Sequence, residues 1–558
     1  VERHDGTSIF PKAHYINQRS MEIFRQHGCA DEIYAEAAPR ENMGKVQWRM
    51  PLGKKYPDDG KILKEFSAMG GGDFEGVYDR LGTTPPANIP QIRLEPILRK
   101  VATERNPDRV LFHHELVSFT QQPEHVSCVV RNRDTNEEIL VRARYVIGAD
   151  GGKKIGPALG VEMVTSQRDN SRINIYFEAD LSQYFDNDRA AMHVIINPNG
   201  ELAGGQLFTH LVAVGPAPWG RHSREWGTVL TFDPDDELDL NEDRLISRVQ
   251  AFFQIDAPIK ILGTSRWFQE AMVADQFVND RIILVGDAAH KQPPGAGLGL
   301  NSNLCWKLAL VLRGADRKLL QTYEDERRPV VEHNSKFAMY VMSNFQFMIG
   351  AFGLSLTATP EHNRRQIETY FSDTPLGANL RNRVDQIFKL SATELGSQDM
   401  DIGVRYEAGA ILSDGTPAPM RDPSGVAYEP STRPGGRLPH VWLKAGNETL
   451  STHDFIPAGG FLLLTDPKGQ SWIAAANRIA ADKGVTIRSV AISQLPEEAE
   501  AVDTSLAWAS VKGFGEGGAV LVRPDGHVAW RAHGPATDPE AEFRAVMETL
   551  LHEAEKPE

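Results

Sequence analysis

The stretch 281–301, RIILVGDAAHKQPPGAGLGLN, limits what this chain can fold into more than any other. An apolar run, 281–285, ends in Gly286 and Asp287, and Pro293, Pro294 and glycines at 295, 297 and 299 follow. A short unbroken apolar run is the pattern of a strand buried on both faces of a parallel sheet. Asp287 would then stand at the strand's carboxyl end, where open α/β sheets hold ligands, and could accept hydrogen bonds from a polyol. The glycines let backbone N–H groups approach a flat or anionic group closely. A helix starting near Leu298 would aim its positive dipole end at the same spot. A plain strand–turn–helix corner is the competing reading, and it leaves the flanking GDAAH and LGLN without a purpose.

At 558 residues the chain is too long for one core, and two to four domains are expected. A net charge of -15 speaks against a nucleic-acid binder, which would carry a basic stripe. The three cysteines, Cys29, Cys128 and Cys305, have no paired spacing, which fits a reducing compartment and excludes a disulfide framework or a Cys-based zinc site. The 17 histidines form no HExxH-type pattern, so no metal site is expected. No signal peptide is visible. The most apolar stretch, 337–356, contains Ser343, Asn344, Gln346 and two glycines; it reads as a buried helix and loop rather than a membrane span.

Periodicity organises the rest. Residues 18–29 read as a helix stopped by Gly28, and 91–105 as an amphipathic helix with Leu94, Ile97, Leu98 and Val101 inward. Three strands follow, the last ending in Asp150, Gly151 and Gly152. Residues 165–275 are strand-rich. A helical region spans 302–352, and 376–435, rich in Gly, Pro, Asp and Ser, reads as a linker with few elements. The tail alternates strands and helices. No repeats or low-complexity segments occur.

These segments carry a resemblance. VGDAAHKQPPGAGLGLN resembles the GD motif of the class A flavoprotein aromatic hydroxylases, the para-hydroxybenzoate and phenol hydroxylase family. YVIGADGGKK resembles their DG motif, PKAHYINQRSMEIFRQHG the segment after their second strand, and PQIRLEPIL the helix beyond it. YEDERRPV matches the end of the flavin domain, and GAVLVRPDGHVAWRA resembles the thioredoxin-like domain of the phenol hydroxylase branch. Within the family the chain looks most like the chlorophenol monooxygenase type. The resemblance implies a mixed α/β fold: a Rossmann-like FAD-binding domain with a parallel sheet (1–160 and, with a helical region, 276–375), a strand-rich substrate domain (161–275), a linker (376–435) and a thioredoxin-like domain (436–558). With no cysteine after Cys305, that last domain cannot exchange disulfides, and packing or subunit association is its expected role.

Residue by residue, the resemblance implies that Glu2 binds the adenosine ribose. Arg19 belongs to the same cofactor-binding set, and Gln91 and Arg93 lie along the flavin and pyrophosphate. Asp150 helps hold the pyrophosphate region and the passing nicotinamide. Gly286 and Asp287 receive the ribityl chain. Pro293 and Pro294 pass over the site of oxygen activation. Gly297, Leu298, Gly299, Leu300 and Asn301 offer amides to the pyrimidine edge. His14 falls where the branch carries an acidic or polar active-site residue, and its titration range suits proton traffic; packing against the flavin is the alternative. His290 reads as structural.

Three departures from the family pattern stand out. The opening strand and GxGxxG turn are missing, the stretch after Asn301 is short, and the DG motif continues as Lys153-Lys154 rather than through Ser toward Arg. The expectation is that the sequence omits segments of the encoded protein and is numbered continuously across the gaps. The implied reaction is hydroxylation of a phenol, ortho to its hydroxyl, by FAD, NADPH (or NADH) and dioxygen through a flavin C4a-hydroperoxide. The expected form is a cytoplasmic homodimer with no nucleic-acid or membrane partner. A larger polyketide phenol as substrate, and a non-catalytic assembly protein that kept the fold, are the alternatives.

Overall fold

The strand expected from the apolar run forms at Ile282–Leu284, fully buried, and pairs in parallel with Val146–Gly148 and antiparallel with Val278–Asn279. The computed structural model describes residues 1–186, 190–200, 206–232, 241–298 and 303–552. Beside this small parallel unit lies an antiparallel meander of His114–Gln121, Val126–Asn132 and Glu138–Ala143. The helix Gln18–Gln26 starts where Asn17 caps it, its side chain accepting from the Ser20 N–H at 2.9 Å, and stops at Gly28, whose φ of +67° suits glycine.

The largest sheet among the described residues runs in the order His290–Lys291, Lys260–Ala274, Met163–Glu178, Glu225–Thr231, Phe208–Ala213, Ala190–Ile196, Lys45–Arg49, Ile62–Ser67. It is antiparallel except where Ala190–Ile196 meets Lys45–Arg49. Three of its strands, Lys45–Arg49, Ile62–Ser67 and His290–Lys291, therefore come from outside the 161–275 segment expected to build it. Alternation gives it two apolar faces. One packs under the helix Glu242–Phe253, with Leu245, Val249, Phe252 and Phe253 inward. The other, with Val46 and Trp48, meets the C-terminal half of the 34-residue helix Lys318–Ala351 through Phe345, Met348 and Ile349.

The expected linker is ordered in its first part. Helices occupy Pro375–Ile387, Ala392–Leu395 and Gln398–Ile402. Thr374 caps the first, with Pro375 at its start, and Leu380, Val384 and Phe388 recur at helical spacing and pack on the face of Trp48. The loop composition is concentrated after residue 402. The helix expected near Leu298 begins only at Leu304, after a single 3-10 turn at Gly295–Gly297.

The C-terminal sheet runs Glu448–Ser451, Trp442–Ala445, Ala501–Val502, Ile487–Ser493, Phe461–Thr465, Ala519–Val522, Val528–Ala532. Helices Gln470–Lys483 and Pro539–Leu551 pack on it. Its Phe461, Leu463 and Trp530 share one core with Ile282, Leu284 and Trp306. That continuity fixes the C-terminal sheet against the parallel unit. No helix among the described residues is long and apolar enough to cross a membrane.

Candidate active site

The strand Ile282–Leu284 delivers Gly286, at φ +58°, and Asp287 to the surface at its carboxyl end. The turn after Val146–Gly148 comes to the same place. Gly152, at φ +72°, lies so close that a Cβ there would sit 3.4 Å from the Asp287 carbonyl oxygen. Asp150 shapes that turn: its carboxylate accepts from Gly152 N at 3.1 Å, Lys154 N at 2.7 Å and Ile155 N at 2.8 Å. These three bonds order the turn. Partial burial raises the Asp287 carboxyl above its usual range, against the pull of Lys291 and Lys12. Its residue surface is exposed, so water keeps that shift modest.

The turn beyond is tightly seated. Gly297, at φ +64°, leaves no room for a side chain, since a Cβ would lie 2.6 Å from Cδ1 of Tyr15. Asn17 Nδ2 donates to the Gly297 carbonyl at 3.2 Å. Leu298 is buried against Phe337, Val341 and Met400, Pro293 is buried and Pro294 is exposed. Gly299, Leu300 and Asn301 lie outside the described residues. Gln292, which the sequence reading passed over, has both amide atoms buried with no partner among the described residues. A buried unsatisfied amide calls for a polar ligand group.

The opposite wall is the segment before the helix Gln18–Gln26. His14 Nδ1 lies 3.0 Å from Asn88 Oδ1. Burial lowers the His14 pKa, only partly offset by that bond, so its ring is neutral at pH 7. With Asn88 accepting, Nδ1 carries the proton and Nε2 the lone pair. His210, pushed down to about 4 mainly by burial, lies near His14. Its ring stands edge-on to Phe345 at 5.4 Å, and Phe345 stacks on Phe208 at 5.4 Å and on Trp48 at 5.8 Å. Tyr15 donates to Asp401 Oδ2 at 3.2 Å, and burial pushes the Asp401 carboxyl up to about 8. Asp401 comes from the presumed linker, and no local pattern marks it.

Other sequence-picked residues are placed differently. Arg19 turns away from the site: its guanidinium donates to Glu22 at 3.2 Å and to the Asp525 carbonyl at 2.5 Å. The helical period puts positions 19, 22 and 26 on the face that meets the C-terminal sheet, and Arg19 is bonded there. Gln91 donates its side-chain amide to Glu95. Arg93 pairs with Glu225 of the large sheet at 2.6 Å, leaving its Nε buried without a partner among the described residues. Glu2 is held beside the meander by Leu111 O at 2.8 Å and His114 N at 2.9 Å. Among the described residues, no cluster of His, Cys, Asp or Glu could hold a metal ion. A cavity of about 410 Å³ lies elsewhere, on the far side of Met400, lined by Val330, His333, Asn334, Asp399 and Arg405.

The glycine-seated turn, the strand-end carboxylate and the orphaned Gln292 amide fit the ring and ribityl end of a flavin. Comparison with known proteins agrees. Residues 1–338 match the FAD binding domain family, and 431–554 match the aromatic-ring hydroxylase C-terminal family. Phenol 2-monooxygenase of Pseudomonas sp. (strain EST1001) is 34% identical over 98% of this chain and 88% of its own length. A 2,4-dichlorophenol 6-monooxygenase of Delftia acidovorans is 32% identical over 99% and 93%. The flavin-dependent monooxygenase PieE, solved with FAD and substrate, superposes with a TM-score of 0.89 at 33% identity, over 99% of this chain and 94% of that one. The chain belongs to the FAD-dependent aromatic hydroxylases, in the phenol hydroxylase group, and is a flavoprotein monooxygenase.

Proposed function

We propose that this enzyme hydroxylates a small phenol ortho to its hydroxyl, consuming NADPH (or NADH) and dioxygen and releasing water and a catechol. The observation that carries this reading is the approach of the His14 segment to the flavin turn: Tyr15, next to His14, packs against Gly297, and Asn17, three positions on, donates to the Gly297 carbonyl. Bound FAD supplies the electron store and the activation of dioxygen. This chain's own residues do the rest. Asp287 and Gln292 hold the flavin end, and Pro293 and Pro294 cover it. His14 Nε2 accepts the phenol proton, with Asn88 fixing the tautomer. Phe345 and Phe208 form a flat apolar wall for the ring. The reading extends to a cytoplasmic homodimer with the C-terminal sheet as a thioredoxin-like, redox-inert unit.

The relatives also include a putative polyketide hydroxylase of Streptomyces coelicolor, 30% identical over 99% of this chain. The greater identity to the phenol and dichlorophenol monooxygenases, 34% and 32%, supports the smaller ring. Reconstitution with FAD, followed by NADPH oxidation and catechol formation across a panel from phenol to naphthols, tests the reading. NADPH oxidation that no phenol stimulates would defeat it.

A further inference from the structure

One turn of the C-terminal sheet, between Ala519–Val522 and Val528–Ala532, is bonded to three helices at once. From the helix Gln18–Gln26, Arg19 donates to the Asp525 carbonyl at 2.5 Å and Gln26 to the Pro524 carbonyl at 3.3 Å. From the helix Leu304–Leu312, Trp306 Nε1 donates to Asp525 Oδ2 at 3.1 Å. To the helix Lys318–Ala351, Arg523 sends a two-pronged bond to Glu326, at 2.8 and 2.9 Å, and within the turn it also donates to Asp525 at 2.5 Å.

The anchoring charges are buried. Glu326, Lys307 and Arg523 have no exposed side-chain surface, and Lys307 Nζ reaches Glu326 at 2.7 Å. Glu326 also accepts from Asn303, the last described residue before the helix Leu304–Leu312. Burial works to raise the Asp525 carboxyl, but the Arg523 guanidinium beside it holds it well below the usual range, so it stays charged. Such groups have one satisfied geometry and a high cost for leaving it. The first two helices are the two walls of the candidate site: one follows His14 and Asn17, the other follows the flavin turn.

We propose that the turn 523–527 sets the spacing between those two walls, with Asp525 and Trp306 as positioning residues for oxygen transfer. The C-terminal sheet thus acts as a gauge for the flavin site rather than only as a packing domain. The proposal rests on the functional reading in one respect, the identity of the two walls.

The test compares Asp525→Asn and Trp306→Phe with Asp414→Asn in the full chain. Asp414 forms a buried pair with Arg531, at 2.7 Å, and also meets Thr416 and His533, none of them on a wall helix or in the 523–527 turn. All three variants should lose some thermal stability. Only the first two should speed amide hydrogen exchange in 17–22 and 304–308, by about tenfold. With FAD bound, they should also shift the visible flavin spectrum and lower product per NADPH, whereas Asp414→Asn should not. Trp306→Phe keeps an aromatic six-membered ring while removing the N–H donor and the five-membered ring, so it carries the comparison if Asp525→Asn does not fold. Equal exchange in all three variants, or unchanged exchange in the first two, overturns the proposal. The exchange measurement needs no flavin, so a chain that exchanges as expected yet hydroxylates no phenol sinks the function and leaves the gauge standing.

Discussion

His14 Nδ1 and Asn88 Oδ1 lie 3.0 Å apart, and this bond decides which ring nitrogen can take a proton. Nicotinamide oxidation needs no proton from the phenol, whereas oxygen transfer favours a phenolate. His14→Ala should therefore cost hydroxylation more than NADPH oxidation, by the ~10²–10⁴-fold typical of general acid–base groups. The phenotype is NADPH consumption with hydrogen peroxide in place of catechol. Raising the pH should restore part of the coupling, since a free phenol ionises near a pKa of about 10. Product and peroxide measured across pH check this; unchanged coupling at neutral pH would make His14 a packing residue.

Asp287→Ala should weaken FAD binding by about 10- to 100-fold, the loss expected for charge-assisted bonds of roughly 1.5–3 kcal/mol. The fold should survive. Burial raises the Asp287 carboxyl above its usual range, so ionising it adds no stability to the fold without flavin. Flavin fluorescence titration of the apoprotein measures the change, and wild-type affinity in the variant would move the ribityl site elsewhere.

What could be read without coordinates was local. The unbroken run at Ile282–Leu284, the stop at Gly28 and the helix Gln91–Arg105 each declare themselves within one window of sequence. The two glycine turns were legible for the same reason, because a positive φ or a close approach excludes other residues at that position. Long-range pairs were not. Nothing in the motif around Arg19 points to Asp525, the partner 506 positions away whose carbonyl its guanidinium reaches. Tyr15 and Asp401 are 386 positions apart, and Asp401 sits in a stretch whose average composition concealed three short helices. Gln292 carries no motif, and only the burial of its amide singles it out.

Gly297→Ala tests the seat of the flavin turn. The residue holds φ +64°, and its new methyl would meet Tyr15 Cδ1 at 2.6 Å. Strain at a positive φ costs of order 1–3 kcal/mol, and the clash adds to it. The turn and Tyr15 must part, which should lower both the melting temperature and FAD affinity. Pairing the change with Tyr15→Ala should recover part of the loss, because the clash is removed while the strain stays. Differential scanning calorimetry on the two variants and the double variant reads the coupling; purely additive losses would show that the ring and the turn do not press on each other.

Asp401→Asn should make the protein more stable at pH 8 than the wild type, with little difference near pH 4. Burial raises the folded pKa of Asp401 to about 8, while the Tyr15 hydroxyl and the Gln18 N–H pull it down only in part. In the unfolded chain the same carboxyl titrates near the ordinary Asp value of about 3.9. Between those two values the folded state keeps a proton that the unfolded state has lost. Stability then falls as pH rises, since the slope follows protons bound unfolded minus protons bound folded. Asparagine mimics the protonated carboxyl, retains an oxygen that can accept from Tyr15, and has no proton to lose. The stability gap between variant and wild type should open steadily from pH 5 to pH 8 and level off above it. Urea unfolding at half-unit pH steps measures that gap. A gap that is flat across the window would show that Asp401 reaches water and titrates as an ordinary carboxylate.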